Sequence, residues 1–464
     1  MTSSISLDDV HILGLGGAGM SGIARILVAQ GKSVSGSDLK ESRRLTALRN
    51  LGIEVFLGHK KENVKPAKTI IASTAIKSNN IEILAATELG LKIYSRAEAL
   101  SAITGDFKSI AVSGTHGKTT TTSMVTVMLQ GCAKDPSFVI GSELAETGAN
   151  AHLGDSDLFV VESDESDGSF LHMSPSVAVV TNVEADHLDY WRELERLEHA
   201  FLEFVLKVKD KQGFAVICVD DKGGRLLADK VQKKIKMITY GQSNSDLQIM
   251  QVTPGLPGFD FKLKFKGKDL GDFSLSVPGL HNVLNATAAV AVGLGLELDL
   301  DLIRNALKGF TGTRRRFEYR GSVRGVRVFD DYAHHPTEIT ATLKAARDVV
   351  ENGKLIVAFQ AHHYYRTALF NKEFGESLGL ADIAIVLEVF APGEEPIPGA
   401  SGQTMASFVP LPKDQVVFEP SWSRVASRLV ERAEPGDIIM TLGAGDIGML
   451  GEEVLNLLQQ KFNG

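Results

Sequence analysis

Short apolar runs that stop at glycine or at a knot of polar residues recur from one end of the chain to the other. Val10 to Leu15, Thr69 to Ala72, Ile110 to Val112, Leu158 to Val161, Val177 to Thr181, Val326 to Phe329, Leu355 to Phe359, Ile383 to Leu387, Val416 to Phe418 and Ile438 to Leu442 are of this kind. They are too short for helices and rich in β-branched residues, so each predicts a buried strand. Ser33 to Gly36 reads as a further strand. Between them the spacing turns helical: over Met20 to Gln30, after Lys118, and over Tyr190 to Lys209 with Leu194, Leu197, Phe201 and Val205 inward. Strand followed by helix, repeated, predicts an α/β chain built on parallel sheets. Ser245 to Val277 instead alternates between Gly/Pro turns, which predicts a small β subregion with strands over Phe259 to Phe265 and Phe273 to Val277.

A length of 464 residues exceeds one ordinary core and predicts three domains. We place them at 1–107, 108–313 and 314–464: an N-terminal Rossmann-like domain, a central P-loop domain carrying the β subregion, and a C-terminal Rossmann-like domain. The net charge of −8 argues against a nucleic-acid partner, which needs a basic face. The lysine clusters at Lys207 to Lys211 and Lys230 to Lys236 read as solvated helix faces. Cys132 and Cys218 are the only cysteines, so a disulfide framework or a structural zinc site is not expected. The start, MTSSISLDDV, lacks the basic and apolar regions of a signal peptide, and no apolar run reaches membrane-spanning length. The expectation is a soluble protein of the reducing cytoplasm.

The first candidate chemistry is a phosphate site. Ile110 to Val112 ends in Gly114-Thr115-His116-Gly117-Lys118-Thr119-Thr120, which opens into a helix. A tight loop exposes backbone N–H groups, the helix N-terminus lies behind them, Lys118 reaches the outer phosphates and Thr119 offers a hydroxyl to magnesium. Where the usual pattern has its first glycine, six positions before the lysine, this chain has Val112, so the loop is short. A second phosphate site precedes it. Gly14-Leu15-Gly16-Gly17-Ala18-Gly19 leads into Met20 and its helix, and Asp38 follows the next strand, where a ribose-binding acid stands in dinucleotide folds. The motif suits any diphosphate: NAD and a UDP-sugar present the same pyrophosphate and ribose. Ser73 and Thr74, after the Thr69 to Ala72 strand, lie where ligands bind at a parallel sheet's carboxyl edge, though such residues also cap helices.

Further along, Leu158 to Val161 delivers Glu162 and an acid run to Gly168, as folds do that hold magnesium with hard oxygen ligands. Val177 to Thr181 leads to His187. Asn282 and Asn285 share a helix face and can read an adenine edge, cap the helix or make a buried polar contact. Arg314 to Arg316 mark a boundary and carry guanidinium groups suited to phosphate. Val326 to Phe329 ends in Asp330, Asp331, Tyr332, His334 and His335, and Leu355 to Phe359 in His362, His363 and Arg366.

Together and in this order, these residues resemble the Mur ligase family of bacterial cell-wall synthesis, over essentially the whole chain and with the short phosphate loop as the family's own form. The resemblance is closest to the branch that adds L-alanine to UDP-N-acetylmuramate, and it implies ATP and Mg2+ as cofactors. It implies that Gly16, Gly17, Ala18, Gly19, Met20, Asp38, Ser73 and Thr74 hold the UDP-sugar. Gly114 to Thr120, Asn282, Asn285, Arg316 and Asp331 would hold ATP; Thr119, Glu162 and His187 the metal; His334, His362 and Arg366 the amino acid. Lys118, Glu162 and His187 would carry the chemistry. The alanine-adding branch usually reads Gln-Pro-His-Arg-Tyr-x-Arg-Thr where this chain has Ala361 and His363. A dehydrogenase would explain the first glycine motif but leaves Lys118 and Glu162 idle, and a P-loop switch or kinase has no need of the upstream site.

Overall fold

The computed structural model describes residues 5–255 and 258–463. The first sheet uses β1 (Asp9–Leu13), β2 (Ser33–Asp38), β3 (Glu54–Leu57), β4 (Thr69–Ala72) and β5 (Lys92–Ser95), with helices α1 (Ala18–Ala29), α2 (Arg43–Asn50), α3 (Ile81–Glu88) and α4 (Arg96–Thr104) between them. All pairs are parallel, in the order β3-β2-β1-β4-β5. Alternation puts Val10 and Ile12 against Ile23, Ile26 and Leu27, and Leu13 and Ile70 in a second cluster with Val64 and Ala86.

The central sheet starts with β6 (Lys108–Ser113), α5 (Lys118–Gly131), β7 (Ser137–Val139), β8 (Ala151–His152), β9 (Leu158–Glu162) and β10 (Val177–Val180). It continues with α6 (Leu188–Trp191), α7 (Leu194–Leu206), β11 (Phe214–Cys218), α8 (Lys222–Val231), β12 (Lys236–Gly241), β13 (Leu247–Pro254), β14 (Phe259–Phe265) and β15 (Lys268–Leu275). Helices α9 (Leu280–Gly295) and α10 (Leu300–Lys308) follow. The order is β15-β14-β13-β12-β11-β10-β6-β9-β7-β8. Strand β6 is flanked in parallel by β9 and β10. The chain leaving those three strands therefore emerges at one carboxyl edge, which is where an open α/β sheet binds ligands.

The last sheet comprises β16 (Glu318–Val323), β17 (Val326–Asp331), β18 (Leu355–Phe359), β19 (Ile383–Val386), β20 (Val416–Phe418) and β21 (Ile438–Leu442), in the order β16-β17-β21-β18-β19-β20. Only β16 is antiparallel. Its helices are α11 (Pro336–Val349), α12 (Tyr364–Leu378), α13 (Gly402–Ala406), α14 (Trp422–Arg432) and α15 (Leu450–Asn463). Contacts group the chain into two compact units, one of Met1–Met250, Lys262–Asp272 and Asn285–Lys308, the other of Gln251–Phe261, Phe273–Leu284 and Gly309–Gly464.

Three sequence expectations are corrected. The helix over Tyr190 to Lys209 is broken: α6 ends at Trp191, Arg192 stands at φ +69°, and α7 begins at Leu194. The Trp191 indole donates to the Glu165 carbonyl and meets Phe170 edge-on, which holds that residue toward the acid run and ends the first helix. The lysines after it do more than face water. Lys207 donates to the Leu171 carbonyl, and Lys211 to that of Gly105 at 3.1 Å. Asp330 and Asp331 are the last residues of β17 and are buried, rather than loop acids beyond it.

Candidate functional site

The phosphate loop joins β6 to α5 through two glycines in left-handed geometry, Gly114 at φ +135° and Gly117 at φ +81°. A Cβ at Gly117 would stand 2.7 Å from the Asn285 Oδ1, so the close approach of α9 as well as the backbone angle requires glycine. The segment after β10 braces the loop. His116 N donates to the Asn182 side chain at 2.8 Å, and Asn182 and Thr181 both donate back to the His116 carbonyl, at 3.0 and 2.5 Å. Thr115 Oγ1 receives the Glu184 N–H at 2.9 Å.

Lys118 curls over this loop, donating to the carbonyl of Gly114 at 2.8 Å and to Glu165 Oε1 at 2.9 Å, with Glu165 Oε2 also 2.8 Å away. Burial would strip the Lys118 ammonium of its proton, but Glu165, Asp164 and Glu162 outweigh it and push its pKa up. Burial pushes Glu165 up to about 7 against the pull of Lys118. His187, at φ +54°, points Nε2 to within 4.0 Å of Glu165 Oε1 and 3.5 Å of Asp186 Oδ2. Thr119 Oγ1 donates to Glu162 Oε1 at 3.0 Å, and the other Glu162 oxygen accepts the Gly141 N–H at 2.8 Å.

Two pairs thus form, Thr119 with Glu162 and His187 with Glu165. Among the described residues no group of three His, Cys, Asp or Glu side chains gathers as a ready metal cluster. The donor chemistry nevertheless suits a hard divalent cation. Glu165 Oε2 is buried with the Lys118 ammonium 2.8 Å away, and carboxylates with a threonine hydroxyl are what such an ion takes. Glu165 is the residue that the sequence reading passed over. It sat unmarked inside the acid run, and only its distances to Lys118 and His187 single it out.

Asn285 lies against α5, where its Oδ1 accepts from Thr121 at 3.1 Å. Asn282 donates to the Pro278 carbonyl at 2.7 Å, a contact at the head of its own helix.

In the first sheet, the Gly14 and Leu15 N–H groups donate to the Ser37 carbonyl, at 2.9 and 3.0 Å, and Gly16 N to Asp38 Oδ2 at 2.8 Å. Asp38 therefore ties down the glycine loop. Helix α1 starts with no side-chain cap on its first amides. Ser73 packs on the turn, 3.0 Å from where a Gly14 Cβ would be; Thr74 is exposed. The Met20 side chain lies in the core, and its backbone is in the first turn of α1.

In the second unit, Arg315 pairs with Asp330 at 3.1 Å and donates to the carbonyls of Gly443 and Gly445, so it rivets the fold. Arg316 lies over the Tyr332 ring and 3.9 Å from Glu338. The Asp331 carboxylate accepts the Phe317 and Ala333 N–H groups, both at 2.7 Å, and burial pushes it up to about 6 despite Arg316. His334 Nδ1 donates to the Tyr332 carbonyl, 3.0 Å away, and the imidazole is held down to about 3 by burial and by Arg366 and Arg316, with Glu338 opposing. His362 is lowered to about 4 by burial, His363 and Arg366. His334, His362 and Arg366 thus share one electrostatic neighbourhood, with both imidazoles neutral. His363, at φ +72°, meets Glu394, which also accepts the Tyr364 N–H at 2.9 Å.

Three family descriptions match in succession: "Mur ligase family, catalytic domain" over residues 9–108, "Mur ligase middle domain" over 112–293 and "Mur ligase, glutamate ligase domain" over 315–445. The chain is 50% identical over 461 residues to a UDP-N-acetylmuramate--L-alanine ligase of Acidothermus cellulolyticus, covering 99% of this chain and 96% of that one. It belongs to the Mur ligase family. A Saccharopolyspora erythraea ligase of the same name is 47% identical, with 97% of this Mur ligase and 93% of that protein covered. Among solved structures, UDP-N-acetylmuramate-alanine ligase of Thermotoga maritima matches with a TM-score of 0.84 at 28% identity, over 98% and 99% of the two chains. A murein peptide ligase from Psychrobacter arcticus matches with a TM-score of 0.70 at 25% identity, over 97% and 98%. The three-domain α/β architecture is thus that of the Mur ligases.

Proposed function

We infer that this Mur ligase joins L-alanine to the lactyl carboxylate of UDP-N-acetylmuramate, with ATP cleaved to ADP and phosphate, in the making of peptidoglycan precursor. The observation that carries the reading is the 50% identity, over 99% of the chain, to an alanine-adding ligase. A carboxylate does not accept an amine at neutral pH, because its oxygen is a poor leaving group. Transfer of the γ-phosphoryl group to that oxygen makes an acyl phosphate; the amine attacks, and the tetrahedral adduct expels phosphate.

Lys118 is placed to neutralise charge on the transferred group, in a pocket where burial strengthens its field. Amides of Gly114 to Thr120 cradle the phosphates, with Asn282, Asn285, Arg316 and Asp331 on the nucleotide. Thr119, Glu162, Glu165 and His187 would hold Mg2+, which when bound shields the phosphate oxygens. The loop from Gly16 to Met20, with Asp38, Ser73 and Thr74, takes the UDP-sugar. Neutral His334 and His362 with Arg366 receive the amino acid, Arg366 for its carboxylate. Among the described residues, no helix is long and apolar enough to cross a membrane. We place the enzyme in the cytoplasm, and its charge of −8 argues against a nucleic-acid partner.

Phosphate release from ATP tests this. Release is expected only when UDP-N-acetylmuramate and a small L-amino acid are both present, and turnover is nearly abolished in Lys118→Ala. Release driven by a tripeptide in place of alanine overturns the substrate assignment, and hydride exchange with NAD without ATP turnover overturns the ligase.

A further inference from the structure

Glu82, at the start of α3, is 0% exposed, and its carboxylate gathers four segments of the first sheet. Oε2 accepts from Ser37 Oγ at 2.5 Å, at the end of β2, and lies 2.9 Å from His59 Nδ1. Oε1 accepts from Asn63 Nδ2 at 2.5 Å and from the Lys60 N–H at 3.2 Å, both beyond β3. His11 of β1 holds Nε2 3.7 Å away, with its Nδ1 on Ser35 at 2.8 Å. Against the penalty of burial, these groups hold the carboxyl down at about 2.

Such a cluster is a poor way to gain stability, because apolar side chains of similar volume serve as well or better. Its position gives it another use. The Ser37 whose hydroxyl bonds Glu82 is the residue whose carbonyl fixes the Gly14 and Leu15 N–H groups, and its neighbour Asp38 fixes that of Gly16. Gly14 itself stands at φ +76° and accepts the Gly17 N–H at 3.1 Å. Every hydrogen bond that holds the turn ahead of α1 from β2 comes from residues 37 and 38.

We propose that Glu82 is a positioning residue for the sugar nucleotide: through Ser37 it holds the Gly14–Gly17 turn in the form that presents the first amides of α1 to the diphosphate. This rests on the reading of the chain as a UDP-sugar ligase. A shift of the 37–38 peptide would carry the turn with it and leave the phosphate loop beyond β6 untouched.

The test is steady-state phosphate release by the full-length enzyme carrying Glu82→Gln or Ser37→Ala, with UDP and uridine as inhibitors and a thermal melt. Ser37→Ala removes one hydroxyl and keeps a folded protein in hand should Glu82→Gln not fold. The expected result is a KM for UDP-N-acetylmuramate about tenfold higher in Glu82→Gln and severalfold higher in Ser37→Ala, as loss of one charged hydrogen bond would give. The kcat and the KM for ATP should stay within twofold. Inhibition by UDP should weaken while inhibition by uridine, which lacks the diphosphate, does not. A lower melting temperature with an unchanged KM for the sugar nucleotide overturns the proposal, as does a loss shared equally by both substrates. Wild-type enzyme that releases no phosphate with UDP-N-acetylmuramate overturns the functional reading beneath it.

Discussion

Replacing Glu165 by glutamine keeps the side chain's size and one carbonyl oxygen but removes the charge that faces both Lys118 and His187. At the observed 2.8 Å, with an effective dielectric of about 20, the attraction between Lys118 and Glu165 is about 6 kcal/mol, part of which desolvation cancels. Asp164 and Glu162 remain within reach, so Lys118 keeps its proton and the loss falls on its placement and on the metal's ligand set. By analogy with removal of one preorganised electrostatic partner, kcat should drop about 100-fold to 1,000-fold. The pH profile gives a second readout. Burial raises the Glu165 carboxyl to about 7 in the free enzyme, and the ionised form is the one that can bind a cation. Ionised Glu165 then rises from about 10% at pH 6 to about 90% at pH 8, and kcat/KM for ATP should rise roughly ninefold over that span. Phosphate release at saturating sugar nucleotide and alanine and limiting ATP measures both. Glu165→Gln should be slow and flat across the same range. A variant within threefold of wild type, or one that is slow but keeps the wild-type acid limb, refutes the assignment; so does a severe loss in Glu162→Gln beside a mild one in Glu165→Gln.

Other expectations are read directly from geometry. Gly117→Ala forces a side chain into a φ of +81° and within 2.7 Å of Asn285, so it should raise the KM for ATP severalfold and lower stability by about 1–2 kcal/mol in a urea titration. Phe170 is 1% exposed and packs against Phe201, Phe204 and Trp191, so Phe170→Ala should lose about 3–5 kcal/mol and begin with loss of the near-UV aromatic signal. Asp331 moves from 3.8 to about 6 on folding, so the native state binds the proton more tightly than the unfolded chain. That contribution is fully present below about 3.8 and lost as pH rises through about 6, amounting to roughly 3 kcal/mol. Denaturant titrations of wild type and Asp331→Asn at pH 5 and pH 8 should show the wild type alone losing about 1.4 kcal/mol, the roughly half of this increment that falls between those two pH values.

Strand placement was legible in the sequence because a buried parallel strand must be a short apolar run. Thr69–Ala72, Leu355–Phe359, Val416–Phe418 and Ile438–Leu442 form as read. What defeated the reading was tertiary. The pattern over Tyr190 to Lys209 is helical throughout, yet the Trp191 indole is claimed by the Glu165 carbonyl, and a side chain held from outside the segment ends the helix. Strands such as β7 and β8, of three and two residues, carry too few positions to show a period at all. The glycine turn between β6 and α5, by contrast, falls where the sequence puts it, with Gly114 and Gly117 both at positive φ.

The candidate site divides along the same line. Motif spacing identifies a residue when the chemistry is done by backbone in a fixed turn, and it fails when several side chains of one kind stand in a row. Between Glu162 and Asp167 there are four carboxylates, and composition gives no reason to prefer one. Distance does. Glu162 leaves β9 toward Thr119 and the Gly141 amide, and Glu165, three residues on, turns back to Lys118 and His187. Both Glu162 oxygens are already engaged, one by a hydroxyl and one by an amide. Glu165, buried beside Lys118, carries a desolvation penalty that a bound cation relieves further. A magnesium titration followed by proton release separates the two. Near pH 7, binding should release up to about half a proton per enzyme in wild type and none in Glu165→Gln, whereas Glu162→Gln should weaken binding and leave the release intact. Equal proton release in wild type and Glu165→Gln would mean that the penalty sits on another group.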